Sequence, residues 1–244
     1  IRPEATGYGQ VYFLREMLKA RGDGIEGRTC TVSGSGNVAQ YCVEKILDYG
    51  GKVVTVSDSS GFVHDPAGVD REKLAWVMAH KNVRRGRIED YAATFPGATF
   101  HAGQRPWAVP CDIALPCATQ NEIDEADARA LIAGGCRAVS EGANMPSTIP
   151  AIEAFLGANV AFGPAKAANA GGVATSALEM TQNAQFDSWE RAKVDAELDR
   201  IMTGIHRQAA EAADSYGVPG NLVVGANIAA FIKVANAMLD HGLT

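Results

Sequence analysis

The sequence predicts an α/β fold, a doubly wound, mostly parallel sheet with helices on both faces and a helical extension at the C-terminus. Three observations predict it. Between 28 and 172, short apolar strand-like runs alternate with helical stripes, the pattern of βα units that build a parallel sheet. The first strand breaks into Gly34-Ser35-Gly36-Asn37-Val38-Ala39, a Gly-x-Gly-x-x-Ala turn that opens a helix. From Val173 onward only helical spacing remains. The 244 residues read as one Rossmann-like nucleotide-binding domain: a leading helix over 1–27, a core over 28–172 and the helical extension over 173–244.

In chain order, Val11, Leu14, Met17 and Leu18 recur at helical spacing and end near Arg21-Gly22. A strand over 28–33, a helix over 37–49 and a strand over 52–57 then make a βαβ unit. In the turn, Gly34 allows the tight bend and Gly36 lets backbone approach a pyrophosphate. Ala39 is small enough for close helix-on-strand packing. The helix N-terminus would meet the anion with unpaired N–H groups and the positive end of its dipole. Asp58 lies 19 residues past Ala39, where a dinucleotide fold places a carboxylate near the adenosine ribose. Asp58, Ser59, Ser60 and Gly61 read as a polar turn at the carboxyl end of that strand.

A helix over 70–78 starts on the capping residue Asp70 and leads into a basic run, His80, Lys81, Arg84, Arg85 and Arg87. On its own this run reads as a solvated helix C-terminus. A short edge strand over 98–101 and an apolar strand over 112–116 follow. The loop after the latter is Cys117-Ala118-Thr119-Gln120-Asn121. A helix over 126–133 leads to a strand over 137–140, which opens into Glu141-Gly142-Ala143-Asn144-Met145-Pro146. A helix over 150–156 leads to a strand over 160–163 and a turn over 164–172 that carries Lys166 and Asn169. Three strands thus end in loops bearing Asn121, Asn144 and Asn169. Amides at one sheet edge can both donate to and accept from a carboxamide and ribose hydroxyls. The extension reads as packing helices over 176–186, from Ser188 onward, and over 228–239.

Composition excludes several classes. At 47% hydrophobic, 20% charged and mean hydropathy −0.05, the usage is that of a soluble globular chain. No apolar run reads as long enough to span a bilayer, and no signal segment is visible. A net charge of −6, from 22 basic and 28 acidic residues, argues against nucleic acid and makes any anion site a local one. Cys30, Cys42, Cys111, Cys117 and Cys136 lack Cys-x-x-Cys spacing and predict reduced, buried thiols in a cytoplasmic protein. The histidines have no ligand spacing, so no metal is expected. The start at Ile1, without methionine, reads as a fragment of something longer.

The stretches Arg2-Pro3-Glu4-Ala5-Thr6-Gly7-Tyr8-Gly9, 33–39, 115–122, 141–146 and 166–180 follow one another as in amino-acid dehydrogenases. Over essentially its whole length the chain resembles the coenzyme-binding domain of the NADP-dependent hexameric glutamate dehydrogenases. The resemblance implies a reversible reaction, in which 2-oxoglutarate, ammonia and reduced nicotinamide cofactor give L-glutamate and oxidised cofactor. It implies that Thr6 contacts the nicotinamide carboxamide and that Asn37, with Gly34, Ser35, Gly36 and Val38, meets the cofactor near the pyrophosphate. Asn121 and Asn144, beside Ala118 and Thr119, would hold the nicotinamide ribose and ring. Asn169 would lie beside the reaction centre, Val173 near the substrate, and Ser176 would donate to the side-chain carboxylate of glutamate. In this family the catalytic lysine and aspartate belong to a preceding domain that nothing here matches. No catalytic residue is therefore assigned, and the chain alone is expected to bind cofactor without turnover. A homo-hexamer is expected of the full-length enzyme.

The cofactor is the sharpest internal question. A carboxylate at Asp58 suits the free 2′-hydroxyl of NAD and repels a 2′-phosphate. NADP-using relatives also keep an aspartate there, followed by serine, and compensate with a lysine and an arginine spaced as Lys81 and Arg84 are. With Ser59 as hydroxyl donor and two cations, the resemblance favours NADP over NAD. A leucine, phenylalanine or valine dehydrogenase domain stays open as an alternative, as does a non-catalytic nucleotide-binding module. A methyltransferase-type domain is disfavoured by the three asparagine loops.

Overall fold

The computed structural model describes residues 1–242, so the last two residues of the extension expected over 173–244 lie outside the described residues. Its centre is a seven-stranded sheet in the order β4-β3-β2-β1-β5-β6-β7. The strands are β1 (Thr29–Val32), β2 (Lys52–Asp58), β3 (Gly61–His64), β4 (Thr99–Ala102), β5 (Ile113–Leu115), β6 (Ala138–Ser140) and β7 (Ala161–Gly163). β1 pairs in parallel with both β2 and β5, and β5-β6-β7 continue in parallel. β3 and β4 add an antiparallel edge to β2. The chain builds outward from β1 to one side and then resumes at β5 on the other. The β1/β5 boundary is therefore the switch point at which open α/β sheets bind ligands.

Strand alternation sorts the two faces. On one face Ile113 and Leu115 of β5, Ala138 of β6 and Ala161 of β7 join a core with α1 (Ala5–Lys19), α2 (Asn37–Asp48), α3 (Arg71–Met78) and the later helices α8 (Gly171–Gln185) and α9 (Arg191–Ser215). On the other, Ala114, Val139 and Phe162 pack with α5 (Glu125–Ala133), α6 (Ile149–Gly157) and Trp107. This is period-two patterning in strands buried on both sides. The short helices α4 (Asp90–Thr94) and α7 (Ala165–Ala168) complete the core region. α1 is wedged between α2 and α8 by two glycines. A Cβ on Gly7 would lie 2.5 Å from the Cys42 nitrogen, and one on Gly9 would lie 2.8 Å from the Gly171 Cα.

Four sequence expectations change. The polar turn at 58–61 is present but closes a two-residue hairpin: Asp58 pairs with Gly61 and the chain returns as β3, a strand the sequence reading lacks. The helix expected from Ser188 starts at Arg191. The last helix, expected over 228–239, is α10 (Leu222–His241), 20 residues capped by Asn221, whose side chain accepts from the Val224 N–H. Its extra turns make it, by length and composition, one helix long and apolar enough to cross a bilayer, with 11% of that window buried. The expectation that no such run exists is thereby corrected. The shorter reading missed it because Gly225 looks like a helix breaker. In place, Gly225 is buried in the close crossing of α10 over the Ala209 backbone of α9.

Candidate functional site

The glycine turn closes the C-terminal end of β1. Gly34 has φ +85°, and a Cβ there would lie 3.0 Å from the Cys117 carbonyl oxygen of the loop after β5. Its N–H donates to Ser57 Oγ at 2.7 Å, and Ser33 Oγ accepts from the Cys117 N–H at 2.9 Å. The turn is thus pinned between the ends of β2 and β5. Gly36, the N-cap of α2, faces open space with nothing within 4 Å of a notional Cβ. Asn37 is exposed and Val38 half-buried beyond it. The α2 amides of Asn37 and Val38 have no acceptor among the described residues, as the first turn of a helix leaves them. An anion could sit here on backbone donors alone.

Beside the turn lies a cleft of about 540 Å³. It is lined by Thr6 of α1, Val38 of α2, the β5 loop from Cys117 to Gln120, Gly142 to Asn144 after β6, and Asn169, Gly172 and Val173 around α8, with Arg2 at its mouth. Asn169 Nδ2 donates to Asn144 Oδ1 at 2.8 Å and to the Ala143 carbonyl at 3.3 Å, so two of the three asparagine loops are locked together. Asn121 is exposed at φ +54° and does not line the cleft. Its N–H donates to the Met145 carbonyl, which joins the β5 and β6 loops. Ser176 sits one turn beyond Gly172 and accepts from Arg2 Nε at 3.1 Å.

Two buried carboxylates hold these loops. Glu122 Oε1 accepts the Ala118 and Thr119 N–H groups at 3.0 and 3.2 Å. Glu141 Oε1 accepts from Ser147 N–H at 3.1 Å and its Oε2 accepts from Ala165 N–H at 2.7 Å, bridging the β6 loop and the start of α7. Burial pushes both carboxyls above the ordinary glutamate range, against the hydrogen bonds that pull them down.

The far end of the site is the β2–β3 hairpin. Asp58 Oδ2 accepts from Lys81 Nζ at 2.8 Å and from the Ile88 N–H at 2.9 Å. Its Oδ1 accepts from the Ser60 N–H at 2.9 Å and Ser60 Oγ at 2.6 Å. Burial would raise this carboxyl, but the Lys81 ammonium and the three other donors outweigh it and hold it at about 2. Arg87 donates to Ser59 Oγ at 2.8 Å, whereas Arg84 lies over the Trp76 ring, 5.5 Å from its centroid. Of the lysine and arginine expected together at a 2′-phosphate, Lys81 thus stands at Asp58 while Arg84 turns to Trp76, and the arginine that reaches Ser59 is Arg87.

The structure gathers Thr6, Val38, Ala118, Thr119, Asn144, Asn169 and Val173 around one cleft, with the Gly34–Asn37 turn beside it. Sequence reasoning leaves out Arg2, Gln120, Gly172, Arg87, Glu122 and Glu141. Arg87 belongs to the basic run already noted. The two glutamates carry no signal in a single sequence, because only burial distinguishes them from surface carboxylates.

Comparison with known proteins matches this geometry to one family. A family model described as Glutamate/Leucine/Phenylalanine/Valine dehydrogenase matches residues 1–242. The NADP-specific glutamate dehydrogenase of Salmonella typhimurium is 58% identical over 246 residues, covering 100% of this chain and 54% of that protein. That of Haemophilus influenzae is 57% identical, with the same coverage. The chain therefore spans about half the length of the curated relatives it matches. A crystal structure of Plasmodium falciparum glutamate dehydrogenase superposes with a TM-score of 0.97 at 48% identity, covering 100% of this chain and 52% of that one.

Proposed function

The chain belongs to the Glutamate/Leucine/Phenylalanine/Valine dehydrogenase family, and from that membership we propose that it is the NADP-binding half of a glutamate dehydrogenase. The observation that carries the cofactor reading is the state of Asp58. A carboxylate has about four accepting positions, and protein donors occupy four on Asp58. It has no accepting capacity left for a ribose 2′-hydroxyl, which is the NAD-type use of this position. Its charge is met by Lys81, while Ser59 and the Arg87 guanidinium stand exposed beside it as donors for a 2′-phosphate.

The rest of the chain fits the remainder of the cofactor. The free amides at the α2 N-terminus and the open face of Gly36 suit the pyrophosphate. The cleft formed by Thr6, Asn144 and Asn169 suits a carboxamide and a ribose. NADP, when bound, accepts or supplies the hydride. The residues of this chain bind and orient, through backbone donors at the turn and paired amides in the cleft. Arg2 and Ser176 at the mouth suit a substrate with an acidic side chain, which supports glutamate and 2-oxoglutarate with ammonia over leucine, phenylalanine or valine. The groups that move the proton are assigned to the preceding half of the full-length protein, so this chain binds cofactor without turnover. α10 presents an apolar face, on which Phe231, Val234 and Met238 are largely exposed. A homo-hexamer of the full-length protein follows the same family reading, and five buried free thiols support a cytoplasmic setting.

Calorimetric titration with NADP and NAD, at low and moderate salt, tests the reading. NADP binding several-fold tighter, with a preference that shrinks as salt rises, is the expected result. NAD binding equally or more tightly would overturn it.

A further inference from the structure

The basic loop between α3 and α4 is wound around one imidazole. After Met78 the helix widens into a single π turn, Ala79–Val83, a form concentrated at functional sites. The turn sends three consecutive side chains in three directions. Lys81 reaches Asp58, and Asn82 exchanges two 3.0 Å amide hydrogen bonds with Gln40 of α2. His80 points inward and is 7% exposed. Its ring stacks on Trp76, 4.4 Å between centroids and 13° between planes. His80 Nε2 stands 2.9 Å from the Arg87 carbonyl oxygen and 3.0 Å from an Asp90 carboxylate oxygen. Both are acceptors, so Nε2 carries the hydrogen and donates. Nδ1 is buried without a partner among the described residues, so the ring's polar hold on the chain runs through Nε2 alone.

The loop closes on this ring. The Gly86 N–H donates to the His80 carbonyl at 3.0 Å, and Lys81 Nζ donates to the Gly86 carbonyl at 2.8 Å. Gly86 sits so close over the imidazole that any Cβ would overlap Nε2. Arg85 takes a left-handed φ of +56° to bring the chain round. Two residues later Arg87, fixed through its carbonyl, presents its guanidinium to Ser59.

We propose that His80 is the positioning residue of the 2′-phosphate seat. Its ring holds the Arg87 backbone so that the guanidinium stands at Ser59, and it thereby sets affinity for a 2′-phosphorylated dinucleotide without touching it. The inference rests on the NADP reading of this site. It adds the element that makes an exposed arginine, otherwise free to sample many rotamers, a preorganised donor.

The test is the ratio of dissociation constants for NADP and NAD in H80F, H80Q and the unsubstituted chain. Phenylalanine keeps the stack on Trp76 and removes the donor. Glutamine places an amide nitrogen near the position of Nε2. H80F should weaken NADP about tenfold, the worth of one lost hydrogen bond to a group that must stay ordered, and leave NAD within about twofold, since NAD has no 2′-phosphate. H80Q should recover most of the NADP affinity. Unchanged NADP binding in a folded H80F, equal losses for NADP and NAD, or an H80Q no better than H80F would each overturn the proposal. If H80F does not fold, H80N, whose nitrogen falls at the Nδ1 position, must show the same selective NADP loss. An unsubstituted chain that binds NAD as well as NADP is a separate result. It fails the cofactor reading itself, and this proposal with it.

Discussion

Lys81 Nζ lies 2.8 Å from Asp58 Oδ2, and the contact meets the negative charge at the acidic end of β2 with a cation. The pair is mostly buried, with side-chain exposures of 18% and 10%, so its members depend on each other more than an exposed ion pair would. Lys81→Met leaves Asp58 ionised without its main counter-charge and, on the proposed NADP reading, removes a cation from beside the 2′-phosphate. NADP affinity should fall at least about tenfold, while NAD affinity changes little. Parallel fluorescence titrations of the two cofactors measure this, and equal losses would contradict it.

The same carboxylate makes an acid-stability prediction. The native Asp58 pKa is depressed to about 2 from an ordinary 3.8. The folded chain therefore binds this proton less tightly than the unfolded one. Its contribution is present above the unfolded value and is lost as pH falls through the native one. A shift of this size corresponds to about 2 kcal/mol. Urea midpoints should drop between about pH 4 and pH 2, and Asp58→Asn should flatten that part of the profile while lowering stability at neutral pH.

Much of this was legible from residue pattern, and the rest was hidden for identifiable reasons. The alternation of short apolar runs with helical stripes gave β1, β2 and β5 to β7 to within a residue or two, because a parallel sheet buried on both faces writes near-continuous apolar strands, and the antiparallel edge strand β4 was read to within a residue as well. β3 escaped because Gly61-Phe62-Val63-His64 follows β2 after only two residues, with no helix between them, so it does not fit the βα alternation that marks the other strands. Its Gly61 reads as turn punctuation, yet sits in the ladder where a Cβ would meet the His101 carbonyl. The asparagine loops were readable as a group, but that Asn144 and Asn169 bond to each other while Asn121 turns outward is a matter of loop register. The basic run was visible, but spacing alone could not show that Arg84 stacks on Trp76 while Arg87 reaches Ser59. The left-handed turn at Arg85, which a sequence does not announce, separates them.

Glu141 carries a second pH prediction, of opposite sign. It is 2% exposed, its pKa is raised by burial, and its two oxygens accept from Ser147 and Ala165 backbone N–H groups on separate loops. A raised native pKa means the folded chain holds the proton more tightly than the unfolded one. Stability therefore falls as pH rises from the ordinary glutamate range through the native value. Glu141→Gln removes that slope. It also replaces one acceptor with an NH₂ group facing an N–H, at a cost of about 1–3 kcal/mol at low pH. Thermal melts across pH 4 to 8 on both proteins compare the slopes, and identical slopes would show that Glu141 does not titrate over this range.

Gly34 and Gly36 belong to one motif but should fail differently. Gly34 needs its glycine for the fold: at φ +85° an L side chain is strained, and its Cβ would press at 3.0 Å on the Cys117 carbonyl, which is backbone and cannot swing away. Gly34→Ala should cost about 1–2 kcal/mol from the left-handed conformation alone, with displacement of the β5 loop added, and both cofactors should bind more weakly as a consequence. Gly36 has φ −84° and open space around it, so Gly36→Ala should keep stability within about 1 kcal/mol, the usual range for an N-cap exchange. Its methyl would instead occupy the approach to the unpaired amides of α2. NADP and NAD should lose affinity by the same factor, because the pyrophosphate is common to both. Denaturation midpoints and paired cofactor titrations on the two variants separate the roles. A Gly36→Ala protein that is stable and binds both cofactors normally would mean that the α2 N-terminus is not where the pyrophosphate sits.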